Sequence, residues 1–588
     1  MRTRTLATIG AGLAILVLGA TLASAAGPDT PYDTLRIEAF DAQEGGRFAD
    51  RMASAGDLDG DGVPDVWISA YDLDVAAPNT GRVYAMSGRT RQPIYRIDHP
   101  EPQPCMGFAC GLGWSISNLE DIDGDGISDL VAAANRQNVD ANGNSCTPGP
   151  ENPGCNRSQG KAYVFSGADG EYLYDLNNPQ PQANGYFGWA SKAGDITGDG
   201  ISEVLVGAFQ NDFPAGCGEE DTIPPGCRKD QGQSFIFNGA TGDQLPEPRG
   251  TLDVPVEDRY LGPDGRCISP PPGPGNPFTQ QVCGGAGIVN EGVGDVDGDG
   301  VWDQSVTAWT TGINPATEQA CWYEEPGCNE RQGRIYIYSG STGDLLRKID
   351  DPVPQEGALF GLQIVQAGAP GDINNDGFDD VYGIGFMQTG PDRDNQAGKS
   401  REGRAWVFSG QAVASGAPSD PFDNPMLSLI DPTPEDFGVF GYSLEKTDYN
   451  RDGIPDLYIG SFDGSYVFLS DGTLQKVFDL PPEDEADQPP GNTNLGRSVA
   501  APGDLNGDCE PDFLSGSPGH DVRFVNDGRL YGYLSSGPSA CPAAVPPPPV
   551  PPAPPVVGPC GDPTAAGYLH PAKLRVSRAR VLREDRRL

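Results

Sequence analysis

The chain has 588 residues and a formal net charge of −44, from 83 acidic against 39 basic side chains. An acid excess of that size speaks for solubility and against nucleic acid and anionic membrane surfaces as partners, because phosphate charge would be repelled. Of the 83 acids, 24 fall at fixed positions of a repeated loop, and the rest are expected on a solvated surface.

The N-terminus has the form of a secretory signal. Arg2 and Arg4 give a positive start, residues 6–22 are apolar and small, and Ala23-Ser24-Ala25 is a cleavage site, so a mature chain is expected to begin near Ala26. No later apolar stretch is long enough to span a bilayer, and secretion or display at the cell surface is expected. The 13 cysteines then suit export-compartment disulfides. Close spacing predicts the local pairs Cys105–Cys110, Cys146–Cys155, Cys217–Cys227, Cys267–Cys283 and Cys321–Cys328, with Cys509–Cys541 as a sixth and Cys560 left over. Zinc is disfavoured, since no C-x2-C occurs and His99, His520 and His570 do not cluster with cysteine.

A nine-residue acidic stretch recurs seven times, with oxygen-bearing side chains at positions 1, 3, 5 and 9. That spacing suits a loop folding around a hard cation, with a backbone carbonyl offered at position 7. The candidate ligands of copy one are Asp57, Asp59, Asp61, Val63 and Asp65, and those of copy two are Asp121, Asp123, Asp125, Ile127 and Asp129. Copy three offers Asp195, Thr197, Asp199, Ile201 and Glu203, and copy four Asp295, Asp297, Asp299, Val301 and Asp303. Copy five offers Asp372, Asn374, Asp376, Phe378 and Asp380, and copy six Asp448, Asn450, Asp452, Ile454 and Asp456. Copy seven offers Asp504, Asn506, Asp508, Glu510 and Asp512. Position 6 is glycine in six copies, as a left-handed turn requires, and Cys509 in the seventh, which is therefore expected to hold its ion least well. Up to seven Ca²⁺ are expected; their fourteen positive charges would bring −44 to −30.

These loops are not EF-hands. Position 12, which would carry a bidentate Glu, holds Ile68, Ala132, Val206, Val306, Gly383, Ile459 or Ser515, and no helical pattern flanks any copy. Each loop instead leads into a short β-rich run, such as residues 66–70, 130–133, 204–207, 381–384 and 457–460. A third strand is expected at 82–86, 161–165, 233–237, 334–338, 404–408, 465–469 and 529–533, mostly running into a Ser-Gly or Asn-Gly turn. A fourth is expected at 94–97, 172–176, 345–349, 426–430 and 474–480, and most weakly near 252–254.

Before most loops stands an aromatic or apolar residue with glycine: Gly113-Trp114, Phe187-Gly188, Phe360-Gly361, Phe440-Gly441 and Leu495-Gly496. After the second strand come Gly207-Ala208-Phe209, Gly460-Ser461-Phe462 and Gly516-Ser517-Pro518. In this order of Phe-Gly, acidic loop and Gly-Ala-Pro-like residues, the chain over residues 34–537 resembles the FG-GAP repeat of integrin α-chain propellers. The resemblance implies an all-β, seven-bladed propeller of four-stranded antiparallel blades, with calcium loops between the first (A) and second (B) strands. Gly284-Gly285-Ala286, where Phe-Gly is expected, and Thr197 in loop three depart from the pattern. The seventh repeat ends after three strands, so residues 34–40 are expected to supply its fourth and close the ring. Residues 1–25 are then expected to be signal, 34–537 propeller, 538–562 a stiff proline-rich linker and 563–588 a basic tail that could open a further domain.

No catalytic constellation is recognisable. The three histidines stand in unrelated contexts, and neither a nucleophile elbow nor a phosphate loop occurs. The expected function is an extracellular ligand-binding or adhesion module for a protein or carbohydrate; the alternative is a polysaccharide-active enzyme on a calcium-stabilised propeller. Antiparallel order puts the A–B and C–D turns on one face and the B–C and D–A connections on the other. The long inserts 135–159, 209–231, 310–332 and 387–402 are B–C, and 99–112 and 255–285 are D–A. The ligand is therefore expected on the insert-bearing face, as the resemblance also implies, with Trp322 and Tyr323 as aromatic anchors.

Overall fold

The computed structural model describes residues 32–103, 111–215, 217, 230–255, 258, 286–321, 326–362, 369–389, 401–411, 425–434, 437–485 and 493–537. They form antiparallel sheets arranged as seven blades in a ring, in a nearly all-β chain. Blade 1 is Met52–Gly56, Asp65–Ala70, Arg82–Met86 and Pro93–Asp98, hydrogen-bonded in that order. Blade 2 is Ser115–Asn118, Leu130–Ala134, Lys161–Phe165 and Tyr172–Asn177. Blade 3 is Phe187–Gly194, Glu203–Ala208, Gln233–Phe237 and the short Thr251–Leu252. Blade 4 is Ala286–Gly294, Asp303–Ala308, Arg334–Tyr338 and Leu345–Asp350. Three strands of blade 5 are described, Val381–Gly385, Arg404–Phe408 and Leu427–Leu429. Blade 6 is Ser443–Thr447, Asp456–Gly460, Ser465–Phe468 and Leu474–Phe478.

Burial explains the sequence pattern. Strand B is buried along its whole length in every blade, as in Asp65–Ala70 and Leu130–Ala134. Both of its faces pack on neighbouring blades, so it shows a continuous run of small and branched residues rather than alternation. Strand D is at the rim, and Pro93–Asp98 and Tyr172–Asn177 are mostly half-exposed. The core lies between blades. Trp67 and Val83 of blade 1, for example, share one cluster with Leu130, Tyr163 and Phe165 of blade 2.

Blade 7 is Ser498–Gly503, Asp512–Ser517 and Arg529–Ser535, and its fourth strand is Tyr32–Glu38 from the other end of the chain. Tyr32 pairs with Ser535 and Glu38 with Arg529, two residues earlier than the sequence suggests for the start of this strand. Arg36 fixes it further by ion pairs of 2.5 and 2.6 Å to Glu483 and Asp484 in a one-turn helix, Pro482–Glu485. Adjacent blades also dock through backbone. Phe48 N–H donates to Asp527 O (3.2 Å), and Phe187 N–H to Gln159 O (2.7 Å). The glycine after each acceptor has no room for a side chain: a Cβ on Gly528 would lie 2.4 Å from Phe48 O, and one on Gly160 1.9 Å from Phe187 O. Both have positive φ (85° and 86°), so glycine satisfies the turn and the close approach together.

Among the described residues no helix is long and apolar enough to cross a membrane. His99 and His520 are packed rather than free in loops, 7% and 2% exposed, each with its ring against a tyrosine (Tyr163 and Tyr531).

Candidate metal loops and the opposite face

All seven acidic stretches fold into one loop with one hydrogen-bond pattern. The position-1 carboxylate accepts the N–H of position 6, at 2.8 Å from Gly62, Gly126, Gly200, Gly300 and Gly377, 3.1 Å from Gly453 and 2.7 Å from Cys509. The position-5 carboxylate accepts the N–H of position 7, as Asp61 does from Val63 (2.9 Å) and Asp508 from Glu510 (2.9 Å). The N–H of position 5 is shared between the oxygens of positions 1 and 3, so Asp57 and Asp59 both receive Asp61 N–H, at 3.0 and 3.1 Å. Where position 3 is asparagine the amide oxygen takes the same place: Asn374, Asn450 and Asn506 each accept at 2.9 Å. Thr197 differs, donating its hydroxyl to Glu203 (3.0 Å).

The turn is left-handed at position 6 and again at position 4. Cys509 carries φ 71° at position 6, while Asn375 (56°) and Arg451 (60°) carry it at position 4 in loops five and six. A side chain there costs on the order of 1 kcal/mol. The sequence pattern showed the first position; the second is concealed because glycine is not universal there.

Position 9 has a role that spacing alone does not reveal. It begins strand B in several blades and is 0% exposed at Asp65, Asp129, Asp303, Asp380, Asp456 and Asp512. One oxygen accepts the N–H of position 2, at 2.6 Å from Leu58, 2.9 Å from Val296 and 2.7 Å from Leu505. The other reaches the C–D turn, accepting from Gly88 (2.9 Å), Gly167 (2.8 Å), Gly340 (3.1 Å), Gly410 (3.0 Å) and Ser470 (2.8 Å), or in blade 7 the last residue of strand C, Ser535 (2.7 Å). In blade 3 Asn238 Nδ2 donates to Glu203 (3.2 Å). The buried carboxylate thus ties the A–B loop to the C–D turn in blades 1 to 6, and to the end of strand C in blade 7, whose fourth strand comes from the other end of the chain. It also explains the Ser-Gly turns, since a Cβ on Gly88 would lie 2.0 Å from Pro64 O.

The charge arrangement fits a cation. Three carboxylates offer oxygens within 4.8 Å of one another at Asp57, Asp59 and Asp61, at Asp121, Asp123 and Asp129, and at Asp295, Asp297 and Asp299. Burial, then the neighbouring loop carboxylates, hold Asp123 and Asp297 above the usual carboxylate range. Burial pushes the position-9 carboxyls to about 6 at Asp129 and Asp456 and about 7 at Asp303, Asp380 and Asp512, against the backbone N–H donors that favour their ionised form. Such clustered hard oxygens repel one another, and a divalent ion converts that repulsion to attraction.

The opposite face carries the inserts. Two of the expected disulfides are in place, Cys146–Cys155 and Cys321–Cys328, each with Cα atoms 5.7 Å apart. Cys217 and Cys509 are also disulfide-bonded. Their expected partners Cys227 and Cys541 lie outside the described residues, as do Cys105, Cys110, Cys267, Cys283, Cys560, Trp322 and Tyr323. Exposed apolar side chains stand in loops of this face: Phe213 (40%) and Phe524 and Val525 (48% and 53%) in B–C connections, and Phe437 (51%) in a D–A connection. The Arg401 guanidinium lies 4.9 Å from the Phe437 ring.

Where strand A begins and strand B ends, near the axis on this face, one residue per blade converges. Those at or just before the start of strand A include Asp50, Trp114, Trp189, Leu362, Tyr442 and Arg497. Those after strand B include Tyr71, Phe209, Trp309, Phe386 and Phe462. Most of the apolar ones share a single cluster spanning blades 2 to 6. The blade 7–blade 1 sector is charged instead. Asp50 meets Arg497 Nε (3.0 Å), Arg47 (3.7 Å), Arg51 and the Tyr71 hydroxyl (3.3 Å). Burial alone would raise the Asp50 carboxyl, but the Arg497, Arg51 and Arg47 guanidiniums reverse this and hold it below the usual range.

A closed seven-bladed ring with an acidic loop between strands A and B of each blade defines the class: a β-propeller of acidic-loop repeats. A family model described as FG-GAP-like repeat matches residues 448–515. Integrin alpha-3 of Cricetulus griseus is 29% identical over 227 residues, 37% of this chain and 20% of the relative. Integrin alpha-3 of Mus musculus is 29% identical over 226 residues, with the same shares. The chain therefore matches about a fifth of the length of these relatives. Repeat, fold and relatives together support an FG-GAP-like, integrin-α-like propeller.

Proposed function

We propose that this chain is an extracellular binding module whose acidic loops hold Ca²⁺ and whose insert-bearing face holds a protein ligand. The observation that carries the reading is the segregation of the two faces. On one, carboxylates at positions 1, 3 and 5 converge and position 9 pins loop to turn. On the other, loops shortened in their freedom by Cys146–Cys155 and Cys321–Cys328 stand beside exposed Phe213, Phe437 and Phe524. Aromatic side chains on a rigid scaffold give large contact area at low ordering cost, as protein interfaces need. The ligands of the ion are the loop residues at positions 1, 3, 5 and 9 with the position-7 carbonyl, and the relatives, both integrin α chains, support an adhesion-type role.

Immobilised extracellular proteins, probed with the purified chain in calcium and in chelator, test this. The expected result is calcium-dependent retention on at least one protein, weakened at least tenfold by Phe437→Ser with Phe524→Ser. Retention indifferent to that double variant, but lost on altering the exposed C–D turns, would put the ligand on the other face.

A further inference from the structure

The charged sector of the axial ring has a guanidinium left open. Arg497 spends Nε on Asp50 (3.0 Å), and among the described residues neither of its Nη groups has a hydrogen-bond partner. Its side chain keeps 15% exposure. The rings of Tyr442 and Phe462 flank it at 5.3 and 5.6 Å and fix its plane. Arg51 is 2% exposed; it donates Nε to Trp114 O (3.1 Å) and Nη1 to Asp50, and its Nη2 has no partner. Three guanidiniums, Arg47, Arg51 and Arg497, face two carboxylates, Asp50 and Asp72, and leave one net positive charge. In a chain with 83 acids and 39 bases, unpaired guanidinium donors held between aromatic rings are not expected of a solvated surface.

We propose that Arg497, supported by Arg51, receives a carboxylate presented by an Asp or Glu side chain of a protein partner at the centre of the insert-bearing face. A guanidinium is donor-only and planar, and a carboxylate is acceptor-only and planar, so the two pair bidentately. A cationic guest would meet net positive charge and three guanidiniums. The aromatic walls favour a carboxylate on an apolar stem over a fully hydrated inorganic anion. The fixed guanidinium has little left to lose in rotamer freedom, which lowers the ordering cost. The inference rests on the ligand-face reading for its partner, but its chemistry is tested separately.

The probe is the peptide acetyl-Ala-Glu-Ala-amide, with its Gln counterpart and sodium sulfate as controls. The readout is the indole N–H resonance of Trp114, whose ring lies 5.5 Å from the Arg51 guanidinium. The Glu peptide is expected to shift it saturably, the Gln peptide is not, and Arg497→Gln should weaken the response at least tenfold. Arg497→Lys keeps the charge without the fork and should fall between. Equal responses to the two peptides, or an undiminished response in Arg497→Gln, would overturn the proposal. So would sulfate saturating at lower concentration than the Glu peptide, which would mark a small-anion site. Should Arg497→Gln fail to fold, the peptide pair on the parent chain and the Lys variant decide. If the Glu peptide binds but no extracellular protein is retained, the ligand-face reading fails alone. If a protein is retained equally by Arg497→Gln, this inference fails alone.

Discussion

The number of loops that hold calcium can be counted from heat denaturation. Binding to the native state alone stabilises by RT ln(1 + [L]/Kd), so above saturation each filled site adds about 1.4 kcal/mol per tenfold rise in free ion. The ring is closed by Tyr32–Glu38 and docked blade to blade, so it is expected to melt as one unit. With ~2.1 cal/mol/K per residue over about 500 residues, the unfolding entropy is roughly 1 kcal/mol/K. One filled loop therefore moves the Tm by about 1.3 °C per decade of free calcium, and seven by about 9 °C. Loop seven, with Cys509 strained at φ 71°, is expected to fill last, which puts the slope over intermediate calcium near the six-loop value of about 8 °C. The assay is scanning calorimetry in calcium buffers, with agreement of calorimetric and van 't Hoff enthalpies as the check on a single transition. Magnesium demands regular octahedral geometry and gives up water reluctantly, so it should produce a smaller slope. A Tm that ignores free calcium, or moves equally with magnesium, would refute the assignment of these loops.

Three further outcomes are expected. Asp303→Ala removes the acceptor for Val296, Asp297 and Gly340 N–H groups and should destabilise by about 3 kcal/mol, roughly 3 °C in Tm, while reducing the calcium slope by one site; calorimetry of the variant checks both together. Deleting residues 32–38 should leave Arg529–Ser535 as an open edge and produce aggregation visible by light scattering, whereas a monodisperse, equally stable deletion would show that ring closure is dispensable. Without calcium, the position-9 carboxyls, with folded values of about 6 to 7 against about 4 when unfolded, bind more protons in the native state. Stability in chelator should therefore fall as pH rises from about 4 to 7. His99 and His520, held near 4 by burial, act oppositely below about 6.5, but two imidazoles are outnumbered by five carboxyls. Excess calcium should abolish or reverse the trend, and a chelated protein whose Tm rises with pH across this window would contradict it.

What the sequence made legible was whatever recurs at fixed offset. The loop oxygens, the second and third strands and most fourth strands stand where their spacing indicates, because each copy repeats the same local chemistry. The closing strand was legible by subtraction, since blade 7 ran out of chain. The Ser-Gly turns were visible too, but as hairpin signals. Their contact with the position-9 carboxylate depends on folding the C–D turn back over the A–B loop, which no local pattern encodes. The axial ring was illegible for a different reason. The residue at this point near the start of strand A changes type from copy to copy, from Asp50 to Trp114 to Leu362 to Arg497, and only closure of the ring brings these side chains together.

The two faces are joined by strand B. Position 9 opens that strand at Asp65, Asp303, Asp456 and Asp512, and within two residues past its other end stand Tyr71, Trp309, Phe462 and Pro518. Five or six residues at about 3.3 Å each separate the two ends, so one extended, fully buried segment links the acidic loop to the axial ring. Sliding it by one residue would turn every buried side chain to the wrong neighbouring blade, and the position-9 carboxylate blocks that slide by gripping the A–B loop and the C–D turn at once. The acidic loops thus do more than form a charged rim. They fix the register of the strand whose far end places Tyr71 against Asp50 and Phe462 against Arg497. A face built from inserts of unequal length can vary freely, because its geometry is referred to a buried carboxylate anchor in every blade on the other side of the disc.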